Sequence, residues 1–141
     1  TQTGSLRGKS KIIMRYRIVA PPHTRFFPRE APDAPATIAF YFQRRGDNWS
    51  AKRQFEHYRW YAVHSNRVVL TPGEYEVSLS LHGANWKSLG SATGTNAPEQ
   101  FREALADATQ IGFVLGGGLS AGHGVYASER AKFEMLSFSV I

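Results

Sequence analysis

Apolar and polar positions alternate most cleanly over Glu74 to Leu81, where Tyr75, Val77, Leu79 and Leu81 take one face and Glu74, Glu76, Ser78 and Ser80 the other. Period-2 geometry makes this a half-buried antiparallel strand with its acids and serines in water. The same spacing predicts a strand over Lys11 to Ala20, with Ile12, Met14, Tyr16 and Ile18 inward and Arg15 and Arg17 outward. Pro21-Pro22 ends it, because proline cannot donate to a ladder. Ala36 to Arg45 alternates Ile38, Phe40 and Phe42 against Ala39, Tyr41 and Gln43, then breaks at the turn-forming run Gly46-Asp47-Asn48. Arg53 to Val63 reads as its antiparallel partner, with Phe55, His57, Arg59 and Tyr61 on one face and Gln54, Glu56, Tyr58 and Trp60 on the other. Both faces are mixed, so the phase stays open. Pairing through the Gly46 to Ser50 turn sets the row Tyr41, Gln43 and Arg45 beside Glu56, Tyr58 and Trp60.

Arg67 to Leu70, Gln110 to Leu115, Gly122 to Ala127 and Ala131 to Ile141 read as further strands. The last changes phase between Met135 and Leu136, which predicts a bulge. Pro21 to Pro35, holding Phe26 and Phe27, and His82 to Asn96, holding Trp86, read as loops. Asn96-Ala97-Pro98-Glu99 opens one helix, with an Asn cap, proline in the first turn and an acid at the positive end of the dipole. Phe101, Leu105 and Ala108 make it amphipathic, ending near Ala108. Strands punctuated by Gly and Pro, with one short helix, predict an all-β fold, an antiparallel β-sandwich of jelly-roll type. A length of 141 residues fits a single domain, 1–141.

Composition narrows the chemistry. With no cysteine, disulfides, thiolate zinc sites and Cys nucleophiles are all excluded. A net charge of +6 raises nucleic acid as a partner. The cations are scattered, as Arg15/Arg17, Arg25/Arg29, Arg44/Arg45, Lys52/Arg53 and Arg130/Lys132, without a basic helix or an RNP-type signature, so a solvated basic surface is expected instead. No apolar run approaches the ~18 residues of a membrane span. The opening Thr1-Gln2-Thr3-Gly4 lacks the charged and apolar regions of a signal peptide, so the chain is either cytosolic or has lost one. Five histidines show no HxH or HExxH spacing, and no metal site is expected. Gly116-Gly117-Gly118 and Gly122-His123-Gly124 lack the following helix and Lys-Ser/Thr of a phosphate loop; glycines at a sheet edge, open to a ligand or another backbone, are the better account. Glu56 and Asp47 are the carboxylates that could flank a groove as glycoside hydrolysis requires, yet each also fits an ion-paired or solvated side chain. No G-x-S-x-G elbow is present, and no catalytic residue is assigned.

The segments KIIMRYRI, YFQRRGDNWS followed by FEHYRWY, and IGFVLGGGLSAGHGVYASERAKFEMLSFSV together resemble bacterial jelly-roll modules of the galactose-binding-like superfamily, which contains many carbohydrate-binding modules. The resemblance covers most of the chain and rests on strand order and on the final strand pair. It implies non-catalytic polysaccharide binding and a secreted or periplasmic location. Modules of this family often hold a structural calcium near their termini; Thr1 to Ser10 here contains no acidic residue, so no cofactor is expected.

Sugar rings stack their C–H faces on aromatic planes, and planar polar groups take the hydroxyls. Trp49, Trp60, Trp86 and Tyr58 are the candidate stacking residues, with Tyr41, Gln43, Arg44, Arg45, Asp47, Glu56 and His123 as polar partners. The competing account is that the aromatics are ordinary core or sheet residues and that Arg44, Arg45 and Asp47 close a hairpin by ion pairing. Arg44, Arg45, Lys52 and Arg53 cluster near the turn, which puts an anionic polysaccharide among the expected partners. A small enzyme acting on an acidic polysaccharide and a structural or assembly domain without a small ligand are the alternatives.

Overall fold

Strand β1 (Lys11–Val19) buries Ile12, Met14, Tyr16 and Ile18, as its alternation demands. The computed structural model describes residues 1–117 and 122–141. After β1 come β2 (Phe26–Pro28), β3 (Thr37–Arg44), β4 (Arg59–Ala62), β5 (Val68–Val69), β6 (Gly73–Ser80) and β7 (Trp86–Ser88). Helix α1 (Pro98–Ala106), β8 (Ala108–Gly116), β9 (Val125–Ala127) and β10 (Lys132–Val140) complete the order. The sheets run β10-β1-β6, β2-β9 and β5-β3-β4-β7, with β8 also paired to β3. Antiparallel pairing and a single short α-helix give an all-β fold of the β-sandwich class.

Contacts gather the chain into two compact units, the first made of Thr1–Ser10, Phe40–Asn66 and Leu81–Phe113. Its core is aromatic: Phe42 meets Trp86 and Phe101 edge-on at 5.1 and 5.9 Å between ring centres, and Trp60 meets Phe101 at 5.1 Å. Such edge-to-face pairs add to area burial through the ring quadrupoles. The second unit, Lys11–Ala39, Arg67–Ser80 and Val114–Ile141, is built on β1, β6 and β10. There Tyr16 stacks on Phe133 at 5.3 Å, and burial, then the neighbouring Tyr75, pushes the Tyr16 phenol up from its ordinary pKa.

The expected bulge is present. Arg15 pairs with Ser137 and Tyr16 with Met135, so Leu136 is the extra residue in β10. The Pro21 to Pro35 and His82 to Asn96 segments each hold a short strand, β2 and β7, three residues being too few to show a period. In the second of these, Gly83 and Gly94 pass backbone against backbone, and a Cβ on either would collide with the other's main chain.

Two expectations are corrected. Arg53 to Val63 is not one strand: Arg53–His57 forms a 3₁₀ helix and only Arg59–Ala62 is extended. In a 3₁₀ helix residues i and i+3 eclipse, and Phe55 and Tyr58 use that spacing to place their rings edge to face at 5.1 Å. The α-helix also starts differently. Its N-cap is Ala97, with no side-chain cap, while Asn96 donates its backbone N–H to Thr93 Oγ1 at 3.1 Å; Pro98 begins the helix as expected and Asp107 closes it.

Candidate functional site

The turn after β3 builds a cluster that joins several of the candidate residues. Gly46 turns the chain with φ +80°. Beyond it, Asp47 folds back so that Oδ1 accepts the Trp49 backbone N–H at 3.2 Å and Oδ2 accepts Gln43 Nε2 at 2.9 Å. Three non-glycine residues then occupy the left-handed region, Trp49, Ala51 and Arg53, at φ +67°, +53° and +56°. Each such residue costs about 1–2 kcal/mol, offset by bonds within the loop, such as the Ser50 N–H to Asn48 Oδ1 at 3.0 Å, and by contacts made beyond it.

Those contacts centre on Arg59. Its guanidinium lies 4.1 Å from the centre of the Trp49 ring and 5.9 Å from that of Tyr61. Its Nη1 is 3.7 Å from Asp47 Oδ2, with side chains only 7% and 3% exposed. That is an ion pair too long for a hydrogen bond, and Arg59 Nε and Nη1 have no hydrogen-bond partner among the described residues. Gln43 Oε1 is likewise buried and unpaired, because its amide is oriented by the bond that Nε2 makes to Asp47. Buried polar groups are seldom left this way, and an acceptor for Arg59 and a donor for Gln43 are what the cluster lacks. Beside it opens a cleft of about 180 Å³ lined by Gln43, Arg44, Gly46, Asp47, Trp49 and Thr109, nearly all of them polar.

Trp49 is 62% exposed. With the guanidinium beneath one face of the indole, that exposure leaves the opposite face to solvent.

Cross-strand register explains which candidates meet. β3 and β4 pair antiparallel, as expected, but with Tyr41 opposite Tyr61, Phe42 opposite Trp60 and Gln43 opposite Arg59. The row beside Tyr41 and Gln43 is therefore Tyr61 and Arg59, one residue out of phase with the expected Glu56, Tyr58 and Trp60. A one-residue shift exchanges the faces of a strand. Trp60 and Trp86 are accordingly corrected to core residues, both fully buried, and Trp60 Nε1 donates to His57 O at 2.8 Å. Neither offers a ring to a ligand.

The other candidates divide as follows. Arg44 Nη1 donates to Glu103 Oε2 and Arg45 Nε to Asp107 Oδ1, both at 3.1 Å, so these arginines tie the turn to α1 instead of closing a hairpin with Asp47. Tyr58 receives the Arg44 guanidinium at 4.8 Å from its ring. Glu56 sits on the 3₁₀ helix against Gly90, where its side chain occupies the space a Cβ would need. Asp47 is held by Gln43 Nε2 and the Trp49 backbone N–H. His123 belongs to the second unit and bonds Glu30 through Nδ1 at 2.6 Å. Of the glycine run, Gly118 lies outside the described residues.

Arg59 and Tyr61 were missed. Their signal was the alternative phase of the RQFEHYRWYAV segment, whose first face already carried both. His57 Nδ1 and Ser88 Oγ stand 2.8 Å apart, but Ser88 is 4% exposed and Oγ also accepts the Ala92 N–H, so this pair fixes the loop and offers no accessible nucleophile. Among the described residues no group of three or more His, Asp or Glu is placed to hold a metal ion, and no helix is long and apolar enough to cross a membrane. Comparison with protein-family patterns, with curated proteins and with solved structures finds no match.

Proposed function

We propose that the chain is a non-catalytic carbohydrate-binding module whose site is the Trp49–Arg59 cluster. The observation that carries this reading is the buried, unpaired pair of polar groups, Gln43 Oε1 and the Arg59 N–H donors, next to an indole whose outer face is open. A sugar hydroxyl both donates and accepts, so a hydroxyl of one residue of a polysaccharide suits the polar cleft on the Gln43 side while a neighbouring residue of the same chain stacks its ring on the outer face of Trp49. The polar cleft suits hydroxyls and has little surface for an apolar group. The likeness of the sequence to galactose-binding-like modules points the same way. Lys52 and Arg53 stand exposed on the same loop and extend the partner class to acidic polysaccharides.

The test is retention in affinity electrophoresis against neutral and acidic polysaccharides, with reducing ends assayed alongside. Trp49→Ala is expected to weaken retention about tenfold, the worth of one good stacking contact. Because Trp49 is 62% exposed, its melting temperature should stay within a few degrees. Retention unchanged by Trp49→Ala sinks the site; release of reducing ends sinks the non-catalytic part.

A further inference from the structure

The second unit holds a groove of about 390 Å³ that no part of the proposed saccharide site uses. Thr24, Arg25 and Phe26 line it at the entry to β2, Asp33 and Pro35 ahead of β3, and Leu70 just past β5. Ala36 ties these segments together, its N–H bonded to Phe26 O at 3.4 Å and its carbonyl accepting the Leu70 N–H at 2.9 Å. Ser128 holds Arg25, with Oγ accepting the Arg25 N–H at 2.8 Å and its own N–H donating to Arg25 O at 2.9 Å. The Ala34 N–H closes a turn onto Ala31 O at 3.0 Å and so fixes the backbone around Asp33. The lining is therefore set by backbone bonds before anything enters it, as ligand grooves commonly are.

Three polar side chains of this lining lack partners. Thr24 is 7% exposed, and its Oγ1 has no hydrogen bond among the described residues. Arg25 and Asp33 are exposed, and neither side chain forms an ion pair with the other or with any other described residue. The two carboxylates on neighbouring loops are committed elsewhere, Glu129 to His23 at 3.7 Å and Glu30 to His123 at 2.6 Å. Arg29 and Arg130 do not line the groove, and the hydroxyl of Thr71, which does, is bonded to Tyr75 at 2.7 Å. One cation, one anion and one buried hydroxyl thus stand beside the apolar side chains of Phe26, Pro35 and Leu70. A lone anion meets Asp33 as well as Arg25, and a lone cation meets Arg25 as well as Asp33. A guest carrying both charges leaves neither opposed.

We propose that this groove binds a free α-amino acid with an apolar side chain, its carboxylate on Arg25 and Thr24 Oγ1, its ammonium on Asp33 and its side chain on Phe26 and Leu70. The Thr24 hydroxyl donates to the carboxylate, which supplies the acceptor it lacks inside the protein. Each exposed charge contact is worth up to about fivefold in affinity, so the two together select the zwitterion over either single charge.

The experiment is a methyl-resolved NMR titration of the whole chain with L-leucine, isocaproate, isoamylamine and glycine as probes. Leucine is expected to shift the Thr24 and Leu70 methyls with a Kd of about 1–10 mM. Isocaproate, which lacks the ammonium, and isoamylamine, which lacks the carboxylate, should each bind about fivefold more weakly, and glycine should leave the Leu70 methyls unmoved. Arg25→Gln and Asp33→Asn, both at exposed positions, should each weaken leucine about fivefold and leave the melting temperature within a few degrees. Thr24→Val keeps the shape and removes the unpaired hydroxyl, so it should weaken leucine while leaving the free protein at least as stable. Leucine that moves neither set of methyls, a singly charged probe that binds as tightly as leucine, or Thr24→Val that loses stability with leucine binding undiminished would each overturn the proposal.

Discussion

Trp60 sits opposite Phe42 and buries its ring against Phe101, whereas the preceding Arg59, on the other face of β4, carries its guanidinium to Trp49. The expected cost of Trp60→Ala is therefore a core cost, about 3–5 kcal/mol by urea unfolding, from lost burial and the cavity left behind. A loss below about 1 kcal/mol would contradict its place in the core. Charge on single residues makes a second measurement. Hydrogen bonding from Arg17, joined by Arg15, holds the Glu74 carboxyl below its ordinary value of 4.5. A lowered carboxyl pKa contributes stability above the unfolded-state value and loses it as pH falls through the folded-state value, so this contribution fades in acid below about 4.5. A carbon-detected titration should place the Glu74 midpoint below 4.5, and Arg17→Gln should raise it. An identical midpoint in both proteins would remove Arg17 as the cause.

At the scale of elements, β10 shows how a single residue restores a pattern. Phe133 and Met135 pair with Ile18 and Tyr16, and beyond the bulge Phe138 and Val140 pair with Met14 and Ile12. Leu136 absorbs the phase change between them and is 38% exposed. Deleting Leu136 leaves the apolar residues at an unbroken period of two on the same face, so the ladder should become regular with a stability change of less than about 1.5 kcal/mol. Inserting one residue after Ser137 moves Phe138 and Val140 to the opposite face and should cost several times more. Equal effects of the two changes on the urea midpoint would show that register in β10 is not set by its buried face. The segment from Arg53 to Val63 failed for the related reason that a mixed pattern fits two phases, and its first half satisfies a 3₁₀ turn through Phe55 and Tyr58 better than a strand.

Across the whole molecule the net charge of +6 is unevenly committed. Arg15 and Arg17 are engaged by Glu74, Arg44 and Arg45 by Glu103 and Asp107, and Arg59 by Asp47. Lys52 and Arg53 remain exposed beside Trp49, so any attraction for acidic saccharides is carried by solvent-facing charge, screened beyond ~8 Å at physiological ionic strength. Binding to an acidic polysaccharide should weaken steeply as salt is raised, while binding to a neutral one should change little. Retention on both that is insensitive to salt would leave stacking and hydrogen bonding as the whole interaction.

The strands whose two faces differ in polarity were legible in the chain itself. β1 and β6 follow from their alternation, the β10 bulge from its phase change, and the helix from its periodic apolar face and its proline, because one-sided burial writes a period into the residues. β2 and β7 were not legible, since three residues hold too little pattern. The candidate site was half legible: Tyr41, Gln43, Asp47 and Trp49 stand at a turn whose composition marks it, and the antiparallel partner of β3 was found. Which face of that partner joins them was settled only in the folded chain. Edge-to-face packing with Phe101 draws Trp60 into the core, and that choice carries Arg59 under Trp49 and beside Asp47. Both tryptophans of the core and the tryptophan of the site look alike in sequence, because an indole serves equally as core filling and as a stacking surface, and only its neighbours in space separate the two.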